Sequence, residues 1–249
     1  MRLIHAERTD PGLVRPNNQD AYAVETLDLP GGGALLVVAD GMGGYDGGEV
    51  ASRIAVDTVR EKLLAGLAPG GAEQANLAAS LHQAVLEANR GILRAQADRP
   101  ELSSMGTTVT AILVQGGRLI GCHVGDSKAF LIGANGARQI TSDHNVPGEL
   151  MQCGHLTAEQ AAVHPQRHIL TRALGVEEEL PVEQLDLTWH EGDLLLLCTD
   201  GLSNLVTLAE IQSLAAGSEP AELVERLVGL ANNRGGHDNI TVLAARWEG

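Results

Sequence analysis

The order in which two hydrophobic periodicities alternate constrains this 249-residue chain more than any other feature. Helical repeats come in pairs, and the pairs fall between groups of strand-like runs. Ala51, Ala55, Val59 and Leu63 recur every four residues after a glycine-rich turn. Leu77, Leu81, Val85, Ala88, Ile92 and Ala95 then form a stripe at the 3.6-residue period. Ala-Pro-Gly-Gly at 68–71 predicts the connection between these two helices. Next come Thr107 to Val114, Arg118 to Val124 and Lys128 to Ile132, rich in β-formers and punctuated by Gly116-Gly117, Gly125-Asp126 and Asn135-Gly136. Short strands with tight turns predict an antiparallel meander. Further strands are expected at 19–27, 34–39, 182–188, 193–199 and 240–246. Leu223, Leu227 and Leu230 mark a late helix, and the capping box Thr207-x-x-Glu210 opens a shorter one before it. This is not the strict alternation of a parallel doubly wound sheet. It predicts an α+β fold of antiparallel sheet layers covered on the outside by helices.

Residues 145–170 carry little strand signal and a second capping-box pattern, Thr157-x-x-Gln160, so a small helical insertion is expected there. With no tandem repeat and no low-complexity stretch, one domain over residues 1–249 is the expectation. Aromatics are only 2% of the chain, so Ala, Val, Leu and Ile must build the core, and a monomer is favoured. The formal charge of −15 argues against nucleic acid and anionic membranes as partners. No stretch approaches 18 consecutive apolar residues and the N-terminus has no long apolar region, which predicts a cytoplasmic protein. Cys122, Cys153 and Cys198 are odd in number and lack CxxC spacing, so neither a disulfide framework nor a zinc site is indicated.

Four aspartates occupy one kind of position. Leu35 to Ala39 runs into Asp40, Ile120 to Gly125 runs into Asp126, Leu194 to Thr199 runs into Asp200, and Asp238 sits just before Ile240 to Leu243. Each alone reads as a turn residue. Together they lie at the ends of expected buried strands, and strand ends of packed sheets can meet on one rim. Two ionised carboxylates ~4 Å apart repel by ~4 kcal/mol at an effective dielectric of 20. Such a cluster must take up protons or bind cations. All-oxygen ligands favour Mg²⁺ or Mn²⁺ over zinc. Glycine follows in Asp40-Gly41 and Asp200-Gly201, leaving the backbone carbonyl accessible as a further oxygen ligand.

Six motifs occur in a defined order: Arg15-x-x-x-Gln19-Asp20, Ala39-Asp40-Gly41-Met42-Gly43-Gly44, Met105-Gly106-Thr107-Thr108, Val124-Gly125-Asp126-Ser127-Lys128-Ala129, Cys198-Thr199-Asp200-Gly201-Leu202 and Asp238-Asn239-Ile240-Thr241. From about residue 8 to 246 the chain resembles the PP2C-type (PPM) protein phosphatases, particularly the compact bacterial members. The resemblance implies a four-layer αββα sandwich with a metal site at one end. It implies that Asp40 bridges two metal ions, that the Gly41 carbonyl binds one of them, and that Asp200 and Asp238 complete the shell. Asp126 matches a third, weaker site shared with Asp200, and Asp20 an outer-shell acid acting through water. Arg15 matches the arginine that binds the substrate phosphate, for which a planar guanidinium suits better than lysine. The implied reaction is hydrolysis of phosphoserine and phosphothreonine by a metal-bridging hydroxide, on phosphoproteins including a kinase and its substrates. A related hydrolase of small phosphate esters, and a catalytically dead binding module, are the competing readings.

Three positions depart from the family pattern. Met42 stands where eukaryotic relatives carry a histidine, and a thioether donates no proton. Gln19 replaces an acid found in some relatives. Lys128 replaces a commoner arginine, with a structural consequence expected. His144, His155, His164 and His168 lie in or beside the insertion, where one could assist protonation or gating, against the commoner outcome of a surface histidine.

Overall fold

The computed structural model describes residues 2–43, 47–67 and 76–248; the 68–71 connection and Gly44 lie outside the described residues. Two antiparallel sheets stack face to face. One runs in the order β1 (Arg2–Asp10), β11 (Ile240–Glu248), β10 (Leu194–Cys198), β7 (Lys128–Gly133), β8 (Gly136–Gln139). The other runs β2 (Asp20–Leu27), β3 (Gly33–Met42), β5 (Val109–Gln115), β6 (Arg118–Val124), β9 (Glu183–Thr188), with the short β4 (Gly106–Thr107) paired to the end of β3.

The strand period of two explains the layering. In β3, Leu36 and Val38 face the opposite sheet, where they pack with Leu195 and Leu197 of β10 and Leu243 of β11. Leu35, Val37 and Ala39 point the other way, onto Ala51, Ala55, Val59 and Leu63 of α1 (Gly47–Leu67) and Leu81, Val85 and Ala88 of α2 (Leu77–Asp98). On the far side, Leu194, Leu196 and Cys198 pack against Leu223, Leu227 and Ala231 of α7 (Pro220–Asn233) and Ile211 of α6 (Leu208–Ala215). Strands buried on both faces must be apolar without alternation, which is why Leu194 to Leu197 is four leucines in a row. Each such leucine contributes ~1.5–3 kcal/mol by leaving water. The α+β, helix–sheet–sheet–helix expectation is met.

Local signals act as read. Thr207 and Glu210 form a reciprocal capping box on α6. The insertion holds two short helices, α3 (Val146–Gln152) and α4 (Ala158–Ala162), the second opened by the Thr157–Gln160 box. Two details differ. The hairpin between β7 and β8 turns on Ala134 and Asn135, with Gly133 paired to Gly136, and Gly136 takes φ 106° just beyond the turn. Strand β1 carries no strand signal in its sequence, since it is an edge strand of mixed polar residues ordered by nine register pairs with β11.

Because neighbours are antiparallel, the end of β3 lies beside the start of β2, and the end of β10 beside the start of β11. Asp20 pairs with Asp40, and Cys198 with Val242. The candidate acids therefore gather on one rim.

Candidate active site

A cleft of ≈ 960 Å³ opens on this rim, and Arg15, Asp40, Gly41, Asp126, Asp200 and Asp238 all line it. Asp40 lies within β3 rather than beyond it, and its backbone is held by Thr108: the amide donates to Thr108 Oγ1 at 2.9 Å, and the carbonyl accepts from Thr107 Oγ1 at 2.8 Å and Thr108 N at 2.9 Å. Asp126 follows β6 by two residues and accepts from Asn145 Nδ2 at 3.2 Å. Asp200 opens the short helix α5 (Asp200–Ser203) and accepts from Asn204 Nδ2 at 3.1 Å. Asp238 receives Arg15 Nη2 at 2.7 Å.

Asp20 does not line the cleft but stands behind it, opposite Asp40 in the ladder, where paired side chains lie close on one face. Its Oδ2 accepts from Thr241 Oγ1 at 2.7 Å and Thr199 Oγ1 at 2.9 Å. Thr241 in turn takes a hydrogen bond from Thr9 at 2.8 Å, and Thr9 takes one from Asn18 Nδ2 at 2.8 Å. A chain of donors thus ends on one oxygen of Asp20, while the other oxygen is buried with no partner among the described residues.

The electrostatics follow from this crowding. Burial, with the neighbouring charges of Asp200 and Asp238, pushes the Asp20 carboxyl up to about 7 against its two threonine donors. Burial and Asp200 push Asp126 to about 7. Asp40, buried and facing Asp20, Asp200, Asp126 and Asp238, is raised well above the carboxylate range, and Asp200 is raised by burial and Asp238. The Arg15 guanidinium is held charged by its hydrogen bond to Asp238. A group of buried acids with one orphaned oxygen is a donor set for divalent cations, which would satisfy that oxygen and relieve the repulsion. Gly41 fits the same purpose: a Cβ there would lie 2.1 Å from Gly48 O and 2.6 Å from Gln19 O, so only glycine brings its backbone to this place.

Residues 15–240 match the family model described as Protein phosphatase 2C. The chain belongs to the protein phosphatase 2C family. It is a metal-dependent serine/threonine phosphatase. It is 36% identical over 243 residues to the serine/threonine phosphatase stp of Listeria innocua, covering 96% of this chain and 94% of that one. It is 41% identical over 247 residues to the serine/threonine protein phosphatase PstP of Mycobacterium tuberculosis, covering 98% of this chain and 45% of PstP. The fold superposes on the crystal structure of the PstP catalytic domain in complex with two manganese ions, with TM-score 0.83 and 38% identity over 98% of this chain and 97% of that one.

Sequence reasoning passed over Asn239 of this phosphatase. Its Nδ2 donates to Pro11 O and Asn17 O, both at 2.9 Å, and its Oδ1 accepts from Gln19 N at 2.8 Å. It clamps the loop that carries Arg15. The signal available was its place beside Asp238, but its backbone partners lie over 200 residues away in sequence. Met42 lies over Gly106, where a Cβ would meet its Cε at 2.7 Å.

Of the histidines noted in the sequence, His168 lines the cleft, and His144 is buried rather than at the surface. His123, His144 and Glu183 bring ligand atoms within 4.8 Å of one another, yet the one acceptor nitrogen of each imidazole is already engaged. His123 Nε2 donates to Gly125 O and Ser142 O at 3.0 Å each, so its Nδ1 accepts from Thr110 Oγ1 at 2.8 Å. His144 Nδ1 accepts from Gly125 N at 3.1 Å, which leaves its proton on Nε2, 3.7 Å from Glu183. Ser142 N and Oγ, at 2.9 Å each, hold the two Glu183 oxygens. Burial keeps both imidazoles neutral, at about 3 for His123 and about 4 for His144. This trio braces the turn before Asp126. Lys128 pairs with Asp143, and its charge also lowers the carboxyls of Asp126 and Asp200.

Proposed function

We propose that this phosphatase hydrolyses phosphoserine and phosphothreonine in proteins, with Asp40, Gly41 O, Asp200 and Asp238 holding two divalent cations, Asp126 with Asp200 a third, and Asp20 acting through water. The observation that carries the reading is the convergence of four raised or paired carboxylates and one arginine on a single cleft, with a fifth carboxylate behind them. Bound Mn²⁺ or Mg²⁺ supplies positive charge for the phosphoryl oxygens and a water acidified for attack.

The chain's own residues do the rest. Arg15 engages one of its five N–H donors with Asp238 among the described residues, which leaves a planar fork to grip the substrate's phosphoryl group. The Asn239 clamp fixes that fork's origin, so little ordering is lost on binding. The Thr199, Thr241 and Thr9 hydroxyls keep one Asp20 oxygen engaged and leave the other free to orient water. Thr108 and Thr107 hold the Asp40 backbone, so the carboxylate is placed before substrate arrives. Met42 gives no proton, and leaving-group protonation falls to water or another side chain.

The partners we read are phosphorylated proteins, a Ser/Thr kinase and its substrates among them, met by a monomer of one domain, residues 1–249, in the cytoplasm. Supporting this, no helix among the described residues is long and apolar enough to cross a membrane, and the chain carries −15. The decisive assay follows phosphate release from a phosphothreonine peptide with Mn²⁺, Mg²⁺ or EDTA, beside Asp200→Asn. Release with metal, lost in EDTA and in the variant, is the expected result. Turnover of small esters with none on the peptide would instead favour a metabolite phosphatase, and peptide binding without release a dead binding module.

A further inference from the structure

Leu13 and Val14 are 69% and 62% exposed, on the loop that leads directly into Arg15. Single exposed apolar residues are ordinary, but an adjacent pair beside a binding cleft marks a contact surface. This loop is also held in place. Besides the three Asn239 hydrogen bonds, Leu13 N donates to Gly236 O at 2.8 Å and Gly12 N to Asp10 Oδ1 at 2.9 Å. Gly12 takes φ 75°, and a Cβ there would lie 2.3 Å from Asp238 O, so the backbone is pressed against the rim. The two side chains are therefore displayed to solvent on a loop whose backbone is fixed.

Val176, 60% exposed, lines the cleft itself from a different segment, whereas Leu13 and Val14 stand outside its lining on the loop that runs into it. That segment is fixed too, since Gly175 N donates to Asn89 Oδ1 at 2.7 Å and Asn89 Nδ2 donates to Glu177 O at 2.8 Å.

We propose that Leu13 and Val14 form an apolar subsite that reads a hydrophobic side chain within three residues of the phosphorylated one in a protein substrate. The proposal rests on the phosphatase reading, in which Arg15 takes the phosphoryl group. An extended peptide advances ~3.3 Å per residue, so a near neighbour of the phosphoresidue passes over the residues adjoining Arg15. The alternatives fit worse. An acidic flank would meet Glu177 on the cleft wall of a chain carrying −15. A small ester would fill only the phosphate end of a ≈ 960 Å³ cleft and leave that loop untouched. Preorganised apolar surface gains affinity because no loop must be ordered on binding.

The test measures kcat and KM, with Mn²⁺, for phosphothreonine peptides carrying Leu at each of the three positions on either side. The all-Ser counterpart and para-nitrophenyl phosphate are run beside them. The wild type is expected to favour one Leu peptide over the Ser peptide by roughly tenfold in kcat/KM, through KM, as burial of one such side chain implies. The Leu13→Ser/Val14→Ser double variant is expected to lose that preference, so that its ratio of Leu-peptide to ester kcat/KM falls by the same factor. Equal KM for every Leu peptide and the Ser peptide in the wild type overturns the subsite while leaving the phosphatase reading in place. A double variant that keeps the preference overturns the assignment to Leu13 and Val14. No hydrolysis of any peptide or of the ester by the wild type overturns both readings.

Discussion

At the scale of the residue, the site is a problem in charge. Arg15 is the cation whose removal should be felt at binding. Arg15→Lys keeps the charge but loses the planar fork, and kcat/KM for a phosphothreonine peptide is expected to fall roughly tenfold; Arg15→Ala should cost about a hundredfold. Steady-state kinetics decide this, and a lysine variant equal to wild type would show that the fork is not used. Asp20 is read differently, since its contribution is the orphaned oxygen. Asp20→Asn keeps an acceptor for Thr199 and Thr241 but weakens the pull on cations. Calorimetric Mn²⁺ titration should then show affinity reduced by roughly 10- to 100-fold, the usual effect of an outer-shell change. Of these residues the motifs named both, while Asp20's threonine partners became visible only in three dimensions.

At the scale of the element, loops on the rim are fixed by single side chains reaching across the sequence. Asn239→Ala removes three hydrogen bonds to the Arg15 loop and strands the Pro11 and Asn17 carbonyls. Each lost partner costs about 1 kcal/mol, so a drop in thermal midpoint of several degrees is expected, with a raised peptide KM. A variant with native melting and raised KM would separate positioning from stability. Gly201 is the tighter constraint, because a Cβ there would sit 2.0 Å from Asn239 O. Gly201→Ala is expected to cost about 1–3 kcal/mol by overpacking and to lower activity by moving Asp200, as urea unfolding beside kinetics would register. Helices and central strands at this scale were legible from periodicity and caps. Strand β1 was not, because an edge strand takes its shape from its partner's hydrogen bonds rather than from its own side chains.

At the scale of the whole molecule, the rim stores repulsion that cations release. Asp20 and Asp126 at about 7, with Asp40 and Asp200 also raised, bind more protons folded than unfolded above the ordinary carboxylate range. The stabilisation this gives is complete below about pH 4 and lost as pH rises through about 7. His123 and His144, buried and neutral, act in the opposite sense as pH falls below about 6.5, but they are two against four. EDTA-treated protein should therefore melt lower at pH 7.5 than at pH 6, and Mn²⁺ should raise the midpoint most at pH 7.5. Melting curves with EDTA and with Mn²⁺ at both pH values check this; a higher midpoint at pH 7.5 without metal would contradict the buried-acid account.

Periodicity, caps and turn residues are local, so the chain's own order of residues determined the central antiparallel strands, the paired helices and the insertion. The ordered motifs, read as a resemblance, named the family before any coordinates. What tertiary structure decided is everything that depends on distance through space. Pairing of β2 with β3, and of β10 with β11, sets Asp20 behind Asp40 and brings Asp200 and Asp238 to the same rim. Asn239 becomes a clamp only because residues 11–19 fold onto it. Leu13 and Val14 are exposed on that clamped loop, beside Arg15. Carboxylate repulsion falls with separation and burial, and neither quantity exists until the chain is folded.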